Sequence, residues 1–398
     1  MTVNGKKRIG IDARFYGPLG KGLGRYTQEI VDNIINIDRD NDYVIFLGAN
    51  NFDEFIVPPT ETERIKKVKV NIRWYTWKEQ IFLPFYFKRE RLDLIHFPHF
   101  NVPILVLNKF VVTVHDLILT KFPTIRATTL SPLVYKLKNL AYRLVIWLAL
   151  RRAQKIITVS EFTKKDIVAQ FHIAPRKIVV TYEGVANLAK GNDTLFVKKL
   201  DEEGTLGRYK INHNFLLYIG NAYPHKNLEG LVRVFAEVLP EYPQLRLVLV
   251  GKSDYFYDRV KDYARSLGLY REGQANSPII FPGYVPDMEL EILFKRALFY
   301  IFPSLYEGFG LPPLEAMAKG CPVLSSDKSS LPEILGDAAY YFNPDDDHQM
   351  KAAIKKMIGD GGLRADLVRK GFSQAKKYNW WECAYATSKV YHLVLYGN

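Results

Sequence analysis

Residues 303–315 read P-S-L-Y-E-G-F-G-L-P-P-L-E, and this stretch decides the fold. Just before it, Leu298–Phe302 is an apolar run with the length of a buried strand. Just after it, Leu314–Lys319 reads as a helix stopped by Gly320. Strand, glycine-bearing turn and helix in that order make the repeating step of a mostly parallel α/β sheet. The turn carries Glu307 and Glu315 eight residues apart, with Gly308, Gly310 and the pair Pro312–Pro313 between them. Glycine lets backbone N–H groups come close to a ligand. A fresh helix start adds unpaired donors and a partial positive charge, which suits phosphate. Carboxylates on either side suit hydroxyl-rich groups, so the stretch reads as a site for a sugar joined to a nucleotide. Proline at a first helical turn and glycine past a helix end are also ordinary punctuation. Glu307 argues against that plainer reading, because a carboxylate buried at a strand end without a partner costs several kcal/mol.

The same step recurs on both sides. In the first half, Arg8–Ala13 opens as a strand and Arg25–Ile37 follows with helical period. Strand candidates come next at Tyr43–Leu47, Val68–Ile72, Leu94–Phe97, Phe110–Val114, Lys155–Val159 and Ile178–Tyr182. After the polar stretch Glu183–Asp193 a second series runs through Phe215–Ile219, Leu245–Val250, Ile279–Phe281, Tyr300–Phe302, Val323–Ser325 and Tyr340–Phe342. With 398 residues, 48% of them hydrophobic, the chain can build two cores. Two similar Rossmann-like domains are expected, residues 1–185 and 186–375, with 376–398 as a helix crossing back to the first. The span 363–396 reads as one long closing helix. Its Trp380, Trp381, Tyr385, Tyr391 and Tyr396 need a surface to cover.

Two further loops stand where ligands bind in such sheets, outside the carboxyl ends of strands. Gly17–Gly24 joins the first strand to the first helix and holds glycines at 17, 20, 22 and 24. It matches neither the spaced dinucleotide fingerprint nor a P-loop, so a plain turn fits as well. Gly220–Asn227 takes the same place in the second half. Lys226 there would face a helix start, where lysine is unfavourable unless an anion is bound. His115–Asp116 closes the strand Phe110–Val114, which makes His115 a candidate to bond a sugar hydroxyl; a structural His–Asp pair is the plainer reading. No metal spacing stands out. The acidic runs Asp38–Asp42 and Asp345–Asp347 read as solvated turns, and Cys321 and Cys383 form no metal or disulfide pattern, which suits a reducing cytoplasm.

Charge divides unevenly. Residues 1–190 hold 30 Lys and Arg against 17 Asp and Glu, a surplus of 13; the remainder holds 25 of each. The basic residues are dispersed and accompany no nucleic-acid motif, so nucleic acid is not the expected partner. An anionic membrane surface or a phosphate-linked lipid fits better. Tyr142–Leu150 is strongly apolar, with Lys136, Lys138, Arg151 and Arg152 around it. It is too short to span a bilayer and reads as a core helix or an interfacial one. Met1–Arg8 is short and polar and does not read as a signal peptide.

Taken together these residues resemble the large retaining glycosyltransferase family that includes bacterial mannosyltransferases, often called family 4. Glu307–Gly308–Phe309–Gly310–Leu311 with Glu315 resembles its E-x7-E motif. Gly22–Tyr26, His115–Asp116, Thr158–Phe162, Tyr218–Gly220 with Lys226–Asn227, Gly320–Val323 and Ser330–Glu333 follow in the family's order. The resemblance implies a GT-B fold, with the acceptor held by the first domain and the donor mainly by the second. It implies that Glu307 contacts the donor hexose beside the backbone of Gly308, Phe309, Gly310 and Leu311, and that Glu315 holds the ribose. By the same resemblance Lys226 binds the diphosphate, Gly22 and Gly24 approach it, His115 contacts the transferred sugar, and Tyr284–Val285 line the base pocket. One departure is plain: many relatives carry arginine where Asn221 stands here.

The expected reaction is a retaining transfer of a hexose from a GDP- or UDP-linked donor, needing neither metal nor cofactor. The acceptor is a glycan or a polyprenyl-diphosphate-linked sugar in surface-polysaccharide assembly, with GDP-mannose the preferred donor. A cytoplasmic protein, peripheral on the inner face of the plasma membrane, is the expected setting. A nucleotide-sugar 2-epimerase of similar architecture and a non-catalytic nucleic-acid-binding protein are the alternatives.

Overall fold

The computed structural model describes residues 5–122, 132–185, 201–274 and 276–397. The expected domain boundary at 185/186 and most of the stretch leading to Asp193 lie outside the described residues. The chain divides into two compact units, Met1–Gly184 with Asn379–Asn398, and Val185–Tyr378.

The first unit is built on a parallel sheet of order β3-β2-β1-β4-β5-β6-β7. Its strands are β1 (Arg8–Asp12), β2 (Asp42–Gly48), β3 (Ile65–Val70), β4 (Leu94–Phe97), β5 (Phe110–Val114), β6 (Lys155–Thr158) and β7 (Ile178–Val180). Its helices are α1 (Lys21–Ile37), α2 (Trp77–Arg89), the single turn α3 (Ile118–Lys121), α4 (Pro132–Arg152) and α5 (Glu161–Phe171). Central strands such as β5 are buried throughout because helices cover the sheet, and four of its five residues are apolar. One apolar cluster unites Leu83 and Phe87 of α2 with Ile146 and Leu150 of α4 and the side chains of β4 and β5. Those two helices therefore share one face of the sheet.

The sequence reading contained no helix at 77–89. Thr76 caps it by accepting from the Glu79 N–H at 3.4 Å, and Pro84 lies inside it. Trp77, Ile81, Phe82 and Phe85 remain exposed, so its apolar residues do not keep to one side and the period is blurred. The apolar segment 142–150 belongs to α4, and its packing is divided. Ile146, Ala149 and Leu150 enter the core, while Leu144 and Trp147 face outward.

The second unit repeats the plan with a sheet of order β10-β9-β8-β11-β12-β13. Its strands are β8 (Phe215–Ile219), β9 (Arg246–Val250), β10 (Ile279–Gly283), β11 (Phe299–Phe302), β12 (Val323–Ser326) and β13 (Ala339–Phe342). Its helices are α6 (Glu202–Arg208), α7 (Leu228–Val238), α8 (Tyr255–Ser266), α9 (Asp287–Arg296), α10 (Leu311–Ala318), α11 (Leu331–Leu335), α12 (Asp347–Gly359) and α13 (Gly361–Ala375). In both sheets the order of connection reverses at one point, between β1 and β4 and between β8 and β11. Ligands bind outside the carboxyl ends of strands at such reversals.

The expected single closing helix is two. α13 ends at Ala375, and α14 (Trp380–Tyr396) starts afresh after Asn379, whose side chain accepts the Glu382 N–H at 2.8 Å. α14 belongs to the first unit. There the Tyr391 hydroxyl is hydrogen-bonded to Nδ1 of His96 on β4 at 2.6 Å, and the Tyr396 hydroxyl donates to Asn41 Oδ1 at 2.8 Å. Burial, with the charge of His115 nearby, pushes the His96 imidazole down to about 3, so it is a neutral hydrogen-bonding core group. The acidic run at 38–42 is not the solvated turn expected. Asp38 is buried and accepts from the Tyr43 hydroxyl at 2.7 Å and Asn41 Nδ2 at 2.9 Å.

Candidate donor site in the second unit

Two loops meet where the second sheet reverses: Gly220–Asn227 after β8 and Pro303–Gly310 after β11. Neighbouring strands bring them together, and hydrogen bonds stitch them. The Leu305 N–H donates to the His225 carbonyl at 2.7 Å, and Ser304 Oγ donates to the same oxygen at 3.1 Å.

Lys226 and Glu307 form the centre. Lys226 Nζ lies 2.5 Å from Glu307 Oε1 and 5.1 Å from the centre of the Phe302 ring. The lysine is 8% exposed and the glutamate 7%, so the pair is largely removed from water. A lysine beside the start of α7 is therefore answered here by a carboxylate, where the sequence pointed to an anion. Ser304 Oγ also reaches Glu307 Oε1, at 2.5 Å. Glu307 Oε2 has no partner among the described residues. From behind, the Glu307 N–H donates to Ser329 Oγ at 2.8 Å. Ser330 Oγ donates to the carbonyls of Glu307 and Phe309 at 3.1 and 3.0 Å. Neither Ser304 nor Ser329 stood out in the sequence. The place of Ser304, three residues before Glu307, is the one local signal that could have pointed to it.

The helix α10 begins at Leu311, three residues before the expected Leu314, so the Pro312–Pro313 pair falls inside its first turn. Gly310 has φ 104°, a left-handed conformation that favours glycine, and a Cβ there would come within 2.7 Å of Leu331 Cδ2. α10 carries no side-chain cap. Pro312 and Pro313 remove two of the donors its first turn would otherwise present, leaving the Gly310 and Leu311 N–H groups without a partner among the described residues. Glu315 lies one turn further on, half-buried. Burial raises the Tyr300 phenol well above its ordinary value against the pull of its bond to Ile219 O, and Glu315 and Glu307 raise it further. Both acids thus act on the same buried ring.

The other predicted donor residues fall around these loops. Asn221 spends its side chain locally, Oδ1 accepting the Tyr223 N–H at 3.3 Å, so it supplies no cation of its own. Tyr284 is 75% exposed and Val285 is buried, just past β10. Asn227, with φ 56°, turns its amide to the Pro344 carbonyl at 3.1 Å, so α7 also starts without a side-chain cap.

Three predicted residues belong to the first unit. Gly22 and Gly24 lie within α1, which begins at Lys21, one turn before the expected start at Arg25, and not in the loop they were expected to occupy. A Cβ on Gly24 would meet the Gly17 carbonyl at 2.2 Å, whereas Gly22 faces open space. Gly24 therefore serves internal packing and only Gly22 leaves room for a ligand. His115 Nε2 lies 2.9 Å from the Pro98 carbonyl and Nδ1 2.9 Å from Glu183 Oε1. Burial would lower this imidazole, but Glu183 outweighs it and the net shift is upward. The partner is Glu183 rather than Asp116, whose Oδ1 accepts the Ile118 N–H at 2.9 Å. Among the described residues, no group of three or more His, Cys, Asp or Glu could hold a metal ion.

Two doubly wound parallel units, each with its reversal point, define the GT-B class of fold. Residues 20–186 match the family model described as Glycosyltransferase Family 4, and residues 208–374 match Glycosyl transferases group 1. The chain belongs to this glycosyltransferase family and is a glycosyltransferase. It is 29% identical over 389 residues to O-antigen chain mannosyltransferase B of Escherichia coli, covering 94% of this chain and 96% of the relative. It is 26% identical to O-antigen chain mannosyltransferase RfbU of Salmonella typhimurium, covering 86% and 88%. Among solved structures, sucrose-phosphate synthase from Thermosynechococcus elongatus aligns with TM-score 0.73 at 18% identity, over 99% of this chain and all of that one. WaaG, a glycosyltransferase involved in lipopolysaccharide biosynthesis, aligns with TM-score 0.68 at 16% identity, over 96% and 99%.

Proposed function

We propose that the protein moves mannose from GDP-mannose to a glycan or lipid-linked acceptor during surface-polysaccharide assembly, with retention of configuration and without a metal ion. The observation that carries this is the Lys226–Glu307 pair beside the bare amides of Gly310 and Leu311, at the sheet reversal. The choice of mannose leans on the names of the two bacterial relatives.

Lys226 has donors left after Glu307 and can take a diphosphate oxygen. The Gly310 and Leu311 N–H groups and the positive end of α10 add to that. These groups are fixed before the reaction, so they stabilise charge as it builds on the leaving diphosphate. Glu307 Oε2 is left for a hexose hydroxyl, and Glu315 would contact the ribose. The bond from the anomeric carbon to the diphosphate oxygen breaks through an oxocarbenium-like transition state. The acceptor oxygen bonds to that carbon on the same face, and its proton passes to the departing diphosphate oxygen.

The test incubates the protein with GDP-mannose, and separately with UDP-linked hexoses, in EDTA, with a mannose oligomer as acceptor. An α-linked mannosyl product formed from GDP-mannose is expected. Transfer only after Mg²⁺ or Mn²⁺ is restored, or a β-linked product, would overturn the mechanism. An epimerised sugar from donor alone would overturn transfer itself.

For the lipid-linked acceptor, the outer face of the first unit supports contact with an anionic bilayer. α4 contains no acidic residue, and Leu137, Leu140, Leu144 and Trp147 stand exposed at helical spacing along it beside Lys138, Arg143 and Arg151. α2 exposes Trp77, Ile81, Phe82 and Phe85. Between them lie exposed Leu105 and Leu107, in a loop bonded to Gln80 of α2 and Arg152 of α4. Apolar side chains rimmed by cations suit the headgroup boundary. Among the described residues no helix is long and apolar enough to cross a membrane. Flotation with phosphatidylglycerol vesicles is expected, weakening in high salt and lost in Leu144→Glu with Trp147→Glu. Equal recovery with phosphatidylcholine alone would argue against the charge component.

A further inference from the structure

We propose that the carboxyl edge of the first sheet carries an aromatic platform, formed by Phe15, Trp74, Tyr75 and His99, that binds a neutral sugar residue of the acceptor glycan. The proposal rests on the glycosyltransferase reading above and adds the place where the acceptor is held.

The rings come from three loops, which follow β1, β3 and β4. Phe15 and Trp74 stack with centres 4.2 Å apart and planes 8° from parallel. His99 lies 5.6 Å from Phe15 and 6.0 Å from Tyr75, and its other neighbour is Phe100 at 3.9 Å. β1 and β4 are neighbours at the reversal of this sheet, the place where open α/β sheets take ligands.

One buried carboxylate holds all three loops. Arg14, after β1, makes two 2.7 Å bonds to Asp12 and a third, at 2.6 Å, to Glu79 Oε1. Glu79 Oε2 accepts the backbone N–H of Tyr75 at 2.8 Å and Asn101 Nδ2 at 2.7 Å. Arg14 and Glu79 are almost wholly buried. Buried ion clusters are poor sources of stability compared with apolar packing. What this one provides is fixed position, as a preorganised binding site requires.

Tyr75 is the residue that folding alone does not explain. Its φ is 58°, a left-handed conformation that is strained for a bulky side chain. Its side chain nevertheless gains little from burial, being 61% exposed. An aromatic ring held in strain at the surface, by a hydrogen bond to a buried carboxylate, is suited to meeting a ligand. The chemistry of the patch selects the ligand. Arg14 has its donors engaged, and burial, with the charge of His115, pushes the His99 imidazole down to about 3, so neither of these two groups offers a cation to a phosphate. Aromatic faces pack against sugar C–H surfaces, while the Tyr75 hydroxyl and His99 Nε2, 3.5 Å apart, can bond hydroxyls.

The test titrates the full-length protein with an α-linked mannotriose by calorimetry and saturation-transfer NMR, and measures acceptor KM and kcat with the same sugar. Tyr75→Ala should weaken mannotriose about tenfold, as expected for losing a ring contact worth about 1.4 kcal/mol. The kinetic loss should fall on acceptor KM, and Tyr75→Phe should recover most of it. Equal affinity in wild type and Tyr75→Ala, or no saturable binding to the wild type, would overturn the platform. A wild type that transfers no sugar from any nucleotide donor would defeat the functional reading instead, and the titration would still decide the platform.

Discussion

Lys226→Ala should lower turnover by ~10²–10³, the range found when one preorganised donor to developing charge is removed. Lys226 is the only cation whose position at the reversal of the second sheet the sequence had marked. The Gly310 and Leu311 amides and the end of α10 can replace it only in part. A complication comes from Glu307, which would be left buried without its counter-charge, at a cost of ~3–5 kcal/mol. Melting of the variant therefore has to be measured beside its turnover. The double variant Lys226→Ala with Glu307→Gln removes the stranded charge and should recover much of the lost melting temperature without recovering turnover. Recovery of both would make the pair structural. Near-normal turnover in Lys226→Ala would remove the lysine from the reaction.

Glu307→Gln should be nearly as damaging, at ~10² or more in kcat. Glutamine keeps the volume and can still accept from Ser304 Oγ, now 2.5 Å from the carboxylate. It gives up the charge that holds Lys226 and the full acceptor strength that Oε2 would offer a hexose hydroxyl in the proposed reaction. Glu307→Ala removes both and should be at least as severe. If Glu307→Gln loses stability while kcat and donor KM stay near wild type, the carboxylate serves only to anchor Lys226 and the sugar contact is wrong. Ser304→Ala gives a graded control, since it leaves the charge and takes away one hydrogen bond, and its effect should be far smaller.

The elements most legible from sequence were those whose burial leaves no choice of pattern. β8, Phe215–Ile219, coincides with its apolar run because both faces of a central parallel strand are covered. α2 escaped notice because its aromatic residues face outward as well as inward, and Pro84 lies inside it. The break before α14 depends on an asparagine cap four residues after α13 ends, and no glycine or proline marks it between Ala375 and Trp380. In the site, the spacing of Glu307 and Glu315 was local and therefore readable. The pairing of Lys226 with Glu307 was not, since 81 residues separate them and only the adjacency of β8 and β11 brings them together. His115 was read correctly as a strand-end residue, but its ion partner, Glu183, is 68 residues away and was not considered.

Because α14 belongs to the first unit, that unit is discontinuous along the chain, interrupted by all of Val185–Tyr378. A ribosome adding ~5–20 residues per second would emit the intervening stretch over ~10–40 s. For that interval the nascent first sheet lacks its final helix, and His96 waits in the half-built interior without the tyrosine that completes it. The inserted unit, contiguous in sequence, can finish first. Translation pauses within codons 185–378 should thus lengthen chaperone dependence of the earlier-made half rather than of the later one.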